Sequence, residues 1–210
     1  MGRALAVAAA LLALASHPAA AETLRILALG DSLTAGYGLA SKAQAYPALL
    51  EQRLRARGHD VKVINAGVSG DTTAGGRARL AWSIGEEPPD IAIVALGAND
   101  GLRGLDPGQM RRNLDAIIGA LKEKGAKVLL AGMLAPPNFG ADYAKEFNAV
   151  FPALAEKHDV AFLPFLLDGV AAERDLNQGD GIHPNDAGIA VMVDRITPYV
   201  LRLIDEARRG

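Results

Sequence analysis

The feature of this sequence that most constrains its fold is the alternation of short apolar segments with longer stretches that carry apolar residues at helical spacing. Strands are predicted at 24–29, 61–64, 90–96, 127–131 and 160–163. Helices are predicted at 45–57, 107–124, 142–157 and 185–207, with the last one bent at Pro198. Such alternation predicts an α/β fold in which helices cover both faces of a parallel sheet, a three-layer αβα sandwich with right-handed crossovers.

Residues 1–21 have the composition of a cleaved export signal. Arg3 supplies a positive charge, residues 4–15 form an apolar run too short to span a bilayer, and the small residues 19–21 fit a cleavage site. The alternative is a buried N-terminal core helix, although no polar face marks one. We therefore expect residues 22–210 to form one mature domain, exported to the bacterial periplasm or secreted, with no stable membrane anchor.

Charge and cysteine content exclude several classes of function. The chain has 22 Lys and Arg against 24 Asp and Glu, a formal charge of −2, whereas nucleic-acid binding requires a basic surplus or stripe. It contains no cysteine, which excludes disulfides, thiolate metal ligands and a cysteine nucleophile. We therefore expect no nucleic-acid partner.

Residues that can donate hydrogen bonds to a ligand follow three of the predicted strands. They lie at the sheet edge where ligands bind in folds of this type. Ser32 comes just after the first strand, where its hydroxyl and its own N–H can both face the crevice. Gly70 follows the second strand and allows close approach of the backbone, while Asn99 follows the third and offers an amide donor. The structural alternatives are a helix N-cap at Asp31 or Ser32, an ordinary glycine loop, and a turn asparagine. Asp100 is expected to anchor these loops rather than to act in catalysis.

A late loop contains Asp180 and His183 three residues apart, followed by a proline. On a tight turn this spacing can bring the carboxylate onto Nδ1 of the imidazole, leaving the other ring nitrogen to act as a base. A nucleophile, a base and an orienting acid are the minimum set for covalent acyl transfer. A metal site is the alternative, but it has at most two ligands here. His59 and His158 lie at polar helix ends and are weaker candidates for the base.

Four segments together resemble the four blocks of the SGNH/GDSL hydrolase family: GDSL at 30–33, SGDT at 69–72, GAND at 97–100 and DGIHP at 180–184. The resemblance runs through nearly the whole mature chain and is strongest to the bacterial periplasmic thioesterase I, lysophospholipase and arylesterase type. It implies the SGNH hydrolase fold, with a flavodoxin-like five-stranded parallel sheet. It also implies that the loop at 73–79 lines the acyl pocket.

The resemblance further implies a role for each matching residue. Ser32 is expected to attack the carbonyl carbon, His183 to carry the proton, and Asp180 to orient the imidazole. The oxyanion is expected to lie among the N–H groups of Ser32 and Gly70 and the side-chain amide of Asn99. The implied function is hydrolysis of carboxylic esters and thioesters through an acyl-enzyme on Ser32, with arylesterase, acyl-CoA thioesterase or lysophospholipase activity.

We expect a small-molecule acyl ester or thioester as the partner, a monomer, and no metal or other cofactor. Two other functions remain open at this point. A carbohydrate O-acetylesterase of the same family would use the same chemistry in a different pocket. An exported binding protein could reuse the scaffold without turnover.

Overall fold

The computed structural model describes residues 22–209, so the predicted export signal at 1–21 lies outside the described residues. The strands within them are β1 (Leu24–Gly30), β2 (Val61–Gly67), β3 (Ile91–Ala95), β4 (Lys127–Ala131) and β5 (Ala161–Leu163). They form one parallel sheet in the order β2-β1-β3-β4-β5. This is the flavodoxin-like order, and it confirms the expected fold class.

Eight α-helices occur in the described part of the chain: α1 (Ser32–Ala35), α2 (Tyr46–Ala56), α3 (Thr73–Ala78), α4 (Leu80–Ile84), α5 (Ala98–Leu102), α6 (Pro107–Glu123), α7 (Gly140–His158) and α8 (Asp186–Ala207). Short 3₁₀ turns occur at Lys42–Gln44, Pro137–Phe139 and Arg174–Leu176. The four predicted helices correspond to α2, α6, α7 and α8, with small shifts at their ends. Helix α8 continues without interruption through Pro198.

The sheet lies between two helical layers. Helix α2 packs against α8, and α6 packs against both α3 and α7. Strand β3 is buried along its whole length, as expected for a central strand covered on both faces. The apolar faces of these helices and the strands share one continuous core. Within residues 22–209, no helix is both long enough and apolar enough to cross a membrane.

Helix caps determine where the long helices begin beside the sheet. Asp106 caps α6 by accepting hydrogen bonds from the second and third N–H groups of that helix, and Pro107 occupies its first position. Asn185 caps α8 in the same way, through Ala187 N and Gly188 N. The loop that carries His183 therefore leads directly into a firmly capped helix.

Strand β2 extends three residues beyond its predicted end at Ile64. Asn65 lies inside the strand, where its side-chain amide donates to Thr34 O at 2.8 Å. Gly67 pairs with Gly30 at the end of β1. A Cβ on Gly67 would lie 2.2 Å from Ala35 N, so only glycine allows the two chain segments to approach this closely. The prediction ended the strand too early because its last residues are polar or small.

Candidate active site

Ser32, His183 and Asp180 form a hydrogen-bonded chain at the carboxyl edge of the sheet. His183 Nε2 lies 2.9 Å from Ser32 Oγ. His183 Nδ1 lies 2.6 Å from Asp180 Oδ2. The imidazole side chain is 18% exposed and the Asp180 side chain 39% exposed, so the chain runs from solvent into the crevice. The predicted base therefore contacts the predicted nucleophile, and the predicted orienting acid contacts the base on its other side.

The loop from Asp180 to His183 is folded by the carboxylate itself. Asp180 Oδ1 accepts from the backbone N–H of Ile182 at 2.9 Å and of His183 at 3.0 Å. The His183 N–H, the imidazole and the Ile182 N–H, in that order of effect, lower the pKa of Asp180 to about 2. The carboxylate therefore stays ionised over the whole pH range in which a histidine exchanges its proton.

Neighbouring side chains hold the histidine loop against the segment after α1. Gln178 N donates to His183 O at 2.7 Å, and the Gln178 amide donates to Tyr37 O at 2.8 Å. The Tyr37 ring lies beside the imidazole, with 4.7 Å between the ring centroids. Neither Tyr37 nor Gln178 was singled out in the sequence, because nothing in their spacing connects them to His183.

Of the two residues considered as a helix N-cap, Asp31 and Ser32, it is Asp31 that caps the helix. It is the N-cap of α1, and its Oδ1 accepts from Leu33 N at 3.0 Å. Because Asp31 caps the helix, the Ser32 hydroxyl is left to interact with His183. Burial raises the pKa of Asp31 to about 6, against the opposing effect of the Leu33 N–H. A buried carboxyl group thus lies directly behind the serine.

The three expected oxyanion donors follow β1, β2 and β3: Ser32 begins α1, Gly70 lies in the loop before α3, and Asn99 lies in α5. In the described part of the chain, neither Ser32 N nor Gly70 N donates to a protein acceptor. Gly70 has a φ of 83°, which only glycine adopts without strain. Asn99 Nδ2 lies 2.9 Å from Asp71 O and 3.4 Å from Asp31 Oδ2. Two backbone N–H groups are therefore available to a ligand, whereas the Asn99 amide already donates to protein acceptors.

Asp100 anchors the loops, as expected from the sequence. Its two carboxylate oxygens accept from Thr73 N at 2.8 Å and from Thr73 Oγ1 at 2.6 Å. Asn113 Nδ2 donates to the same threonine oxygen at 3.2 Å. Burial raises the pKa of Asp100, and the two bonds from Thr73 oppose that rise. This buried network joins the start of α3 to α5 and α6.

An apolar cavity of about 420 Å³ opens beside Ser32 and His183. Its polar lining is limited to a few groups, among them Ser32, Asn99 and His183. The apolar lining comes largely from two segments after β4 and β5 and from the ends of two loops: Leu102, Met133, Leu134, Pro136, Pro137, Phe165, Leu167, Ala171, Ala172 and Ile182. None of these residues is predicted from the sequence to line a pocket. Their position directly after β4 and β5, at the ligand-binding edge of the sheet, is the signal that could have indicated some of them.

Residues 73–79 are not the loop expected from the sequence. Most of this segment is helix α3, capped by Thr72, and none of it lines the cavity beside Ser32. Its two glycines instead allow close packing. A Cβ on Gly76 would lie 2.3 Å from a Leu96 methyl carbon, and one on Gly75 would lie 2.5 Å from Asp71 Oδ1.

The other two histidines lie outside this hydrogen-bonded chain. His158 lies at the end of α7, pairs with Asp115 at 2.6 Å and does not line the cavity. His59 lies in the turn before β2. Among residues 22–209, no group of three His, Cys, Asp or Glu side chains is placed to hold a metal ion.

A parallel α/β sheet that carries a serine, a histidine and an aspartate in hydrogen-bonded order at its ligand-binding edge is typical of hydrolases that act through a serine. Comparison with known proteins narrows this class. The GDSL-like Lipase/Acylhydrolase family model matches residues 28–191. The chain belongs to this family and is an ester-hydrolysing enzyme.

Individual relatives match the chain over most of their length. Esterase TesA of Pseudomonas aeruginosa is 42% identical over 193 residues, which cover 92% of this chain and 94% of that protein. A protein of Escherichia coli K12 named thioesterase 1/protease 1/lysophospholipase L1 is 42% identical over 175 residues, 83% of this chain and 81% of that protein. A crystal structure of TesA has a TM-score of 0.81 at 41% identity and covers 85% of this chain and 99% of that one. The predicted family and fold are confirmed.

Proposed function

We propose that this enzyme hydrolyses carboxylic esters and thioesters through an acyl-enzyme on Ser32, with His183 as general base and acid and Asp180 as the orienting group. The observation that carries the proposal is the unbroken chain from Ser32 Oγ through the imidazole to Asp180, with contacts of 2.9 and 2.6 Å. Both distances lie within the reach needed for proton transfer.

Acylation begins when Ser32 Oγ attacks the carbonyl carbon of the substrate. His183 Nε2 accepts the hydroxyl proton as the new C–O bond forms, and then gives that proton to the leaving alcohol or thiol as the old bond breaks. Asp180 accepts from Nδ1–H, which keeps the free lone pair on Nε2 and stabilises the imidazolium. Water then attacks the acyl-enzyme with the same base, releasing the acid and restoring Ser32.

The negative charge of the tetrahedral intermediate is proposed to lie among the N–H groups of Ser32 and Gly70 and the Asn99 amide. Support comes from two backbone N–H groups without a protein acceptor and an amide held by Asp71 O. Donors fixed before the reaction stabilise charge without reorganisation, and each contributes roughly 3–4 kcal/mol to lowering the barrier.

The substrate is proposed to be an uncharged acyl ester or thioester with an apolar acyl group. The cavity lining contains no Asp, Glu, Lys or Arg, so it offers no partner for a charged acyl chain. Relatives named esterase, arylesterase and thioesterase/lysophospholipase support both bond types. An O-acetylesterase for carbohydrates would need polar groups around the cavity to hold sugar hydroxyls, and this apolar lining does not favour it.

Export and assembly are part of the same proposal. Residues 1–21 would act as a removable signal, the mature chain 22–210 would form a single exported domain, and it would work as a monomer without nucleic acid or a stable membrane anchor. The intact set of reactive groups favours an enzyme over a binding protein on the same scaffold.

Covalent labelling tests the proposed nucleophile. An alkyl p-nitrophenyl phosphonate should label wild-type protein once, at Ser32, and mass spectrometry of peptides should locate the adduct there. Ser69→Ala offers a matched control, because this serine precedes Gly70 on the neighbouring loop. An adduct on another residue, or no adduct on the folded protein, would refute the proposal. A panel of p-nitrophenyl esters from acetate to dodecanoate, run beside acetylated xylan, then distinguishes an acyl esterase from a carbohydrate deacetylase.

A further inference from the structure

One guanidinium connects three chain segments behind the proposed oxyanion donors. Arg79, between α3 and α4, donates through Nε to Asp71 Oδ2 at 2.5 Å. It also donates through one terminal nitrogen to Gly30 O at 2.8 Å and through the other to Ser83 Oγ at 2.9 Å. All three nitrogens of the planar guanidinium group therefore donate hydrogen bonds, which fixes the orientation of the group.

The two loops joined by Arg79 carry the two proposed backbone donors. Gly30 ends β1 two residues before Ser32, and Asp71 directly follows Gly70. Gly30 O also accepts from Val68 N at 3.1 Å, so the ends of β1 and β2 meet at this carbonyl. The guanidinium therefore adds a side-chain link, beside this backbone contact, between the two segments that carry the N–H groups.

Asp71 links the third proposed donor to the same contact. Its carboxylate binds Arg79, while its main-chain oxygen accepts from Asn99 Nδ2 at 2.9 Å. A displacement of Asp71 would thus move both Gly70 and Asn99. No other ion pair in the described residues lies between two of these loops, but the Arg103 guanidinium also donates to Gly70 O at 2.9 Å.

The pair is shielded from water but does not line the cavity. The Arg79 and Asp71 side chains are 16% and 17% exposed, and neither belongs to the residues that surround the cavity beside Ser32. Ion pairs shielded in this way are screened less than surface pairs, and removal of one partner leaves a poorly solvated charge. Neither side chain therefore lines the cavity, and each contacts groups that lie next to the proposed donors.

We propose that Arg79 and Asp71 are a pair of positioning residues that keep the Ser32, Gly70 and Asn99 donors at the spacing needed by the tetrahedral intermediate. The inference rests on the proposed function, because it concerns the geometry of that oxyanion site. It predicts a specific defect in stabilising the transition state, with substrate binding left almost unchanged.

The test compares Arg79→Gln, Arg79→Lys, Asp71→Asn and the double variant Asp71→Asn/Arg79→Gln on a p-nitrophenyl ester. We expect Arg79→Gln and Asp71→Asn to lower kcat about 10- to 100-fold, the range in which a small misplacement of catalytic groups acts. KM should change less than about twofold. Arg79→Lys keeps a cation and should restore part of kcat. The double variant should be no slower than the slower single variant, because the two residues act as a unit.

An inhibitor that mimics the tetrahedral intermediate separates positioning from a merely structural role. A trifluoromethyl ketone should lose affinity for Arg79→Gln by the same factor as kcat/KM, since both report transition-state stabilisation. Arg53→Gln is the matched control: it breaks an Arg–Asp pair between α2 and α8 and should leave kcat unchanged. If Arg79→Gln does not fold, Arg79→Lys and Asp71→Asn supply the same comparison.

Several results would overturn the inference. Wild-type kcat and inhibitor affinity in folded Arg79→Gln and Asp71→Asn would do so, even if their melting temperatures fell. A rise in KM with unchanged kcat would also do so. Absence of hydrolysis and of phosphonate labelling in the wild-type protein would instead refute the proposed function, so the two failures are distinguishable.

Discussion

His183 Nε2 lies 2.9 Å from Ser32 Oγ although 151 positions of sequence separate the two residues. Ser32 follows β1 near the middle of the sheet, and His183 lies on the loop that leads into α8. The fold brings them together because the loop before α8 crosses the carboxyl edge of the sheet. The proposed transfer of the Ser32 proton to His183 requires this contact.

Ser32→Ala should abolish turnover and leave the fold intact. The substitution removes one oxygen that lies at the cavity surface, so no buried group loses its partner except the His183 ring nitrogen. We expect no detectable hydrolysis of p-nitrophenyl butyrate and a melting temperature close to that of wild type. Ser69→Ala should retain full activity. Hydrolysis by purified Ser32→Ala at more than about a thousandth of the wild-type rate would remove Ser32 as the nucleophile.

Asp180→Asn should lower kcat by about 10²–10⁴-fold while keeping the loop folded. The amide oxygen can still accept from Ile182 N and His183 N, but the amide nitrogen would face Nδ1 of the imidazole. That arrangement favours the tautomer with its proton on Nε2, which cannot accept the serine proton. Steady-state kinetics measure the loss. Asp115→Asn, which alters the Asp–His pair at His158, is the matched control and should leave kcat unchanged.

Asn99→Ala should lower kcat by about 10²–10³-fold with little change in KM, because the proposed role of the amide is to donate to the oxyanion of the tetrahedral intermediate. Asn113→Ala removes a nearby amide that bonds Thr73 in the Asp100 network, so it should reduce stability but not kcat. A change confined to KM in the Asn99 variant would argue against its role as a donor.

The regular elements of this fold could be predicted because each has a continuous local signal. The strands are short, mostly apolar segments, and α6 begins at Pro107 and ends before Gly125. Helix α3 could not be predicted, because two consecutive glycines disfavour a helix. Only the close packing of Gly75 against Asp71 and of Gly76 against Leu96 explains their presence. The end of β2 could not be predicted either. Its last residues are in the strand because they contact the segment after β1, and the local sequence pattern does not show that contact.

The proposed reacting residues could be predicted more fully than the residues that hold them in place. Ser32, Gly70, Asn99 and His183 occur at strand ends or on a short proline-containing turn, which draws attention to polar residues. Arg79 has no such signal, because a basic residue between two helices is ordinarily a solvated side chain. Its contact with Gly30 O spans 49 positions and appears only when the sheet is assembled.

Asp31 should make the stability of the protein fall as pH rises from about 4 to about 6. Burial raises its pKa from 3.8 to about 6 in the folded state, so folded protein keeps a proton that unfolded protein loses in this window. Unfolding then releases a proton, and the free energy of unfolding decreases with pH by up to about 3 kcal/mol. The opposite contribution from Asp180, whose low pKa stabilises the fold above about pH 4, is already complete in this range.

Asp31→Asn isolates this effect. The amide oxygen can still cap α1 by accepting from Leu33 N, but the side chain no longer titrates. Denaturant unfolding at pH 4.5, 5.5, 6.5 and 7.5 should show the variant gaining stability relative to wild type as pH rises, with a plateau above about pH 7. Parallel pH profiles for the two proteins would mean that Asp31 ionises normally in the fold.

Leu134→Asp should weaken the use of long acyl esters and spare short ones. Leu134 is half exposed at the cavity wall, so the substitution should not disturb the core, but it places a carboxylate where an acyl chain would lie. A tenfold loss corresponds to the burial of about two CH₂ groups, at about 0.8 kcal/mol each. We therefore expect kcat/KM for p-nitrophenyl octanoate to fall at least about tenfold, and that for the acetate to change less than about twofold. Trp82→Asp, on a more exposed apolar residue that does not line the cavity, is the control and should alter neither. Equal losses on both esters would place the acyl chain elsewhere.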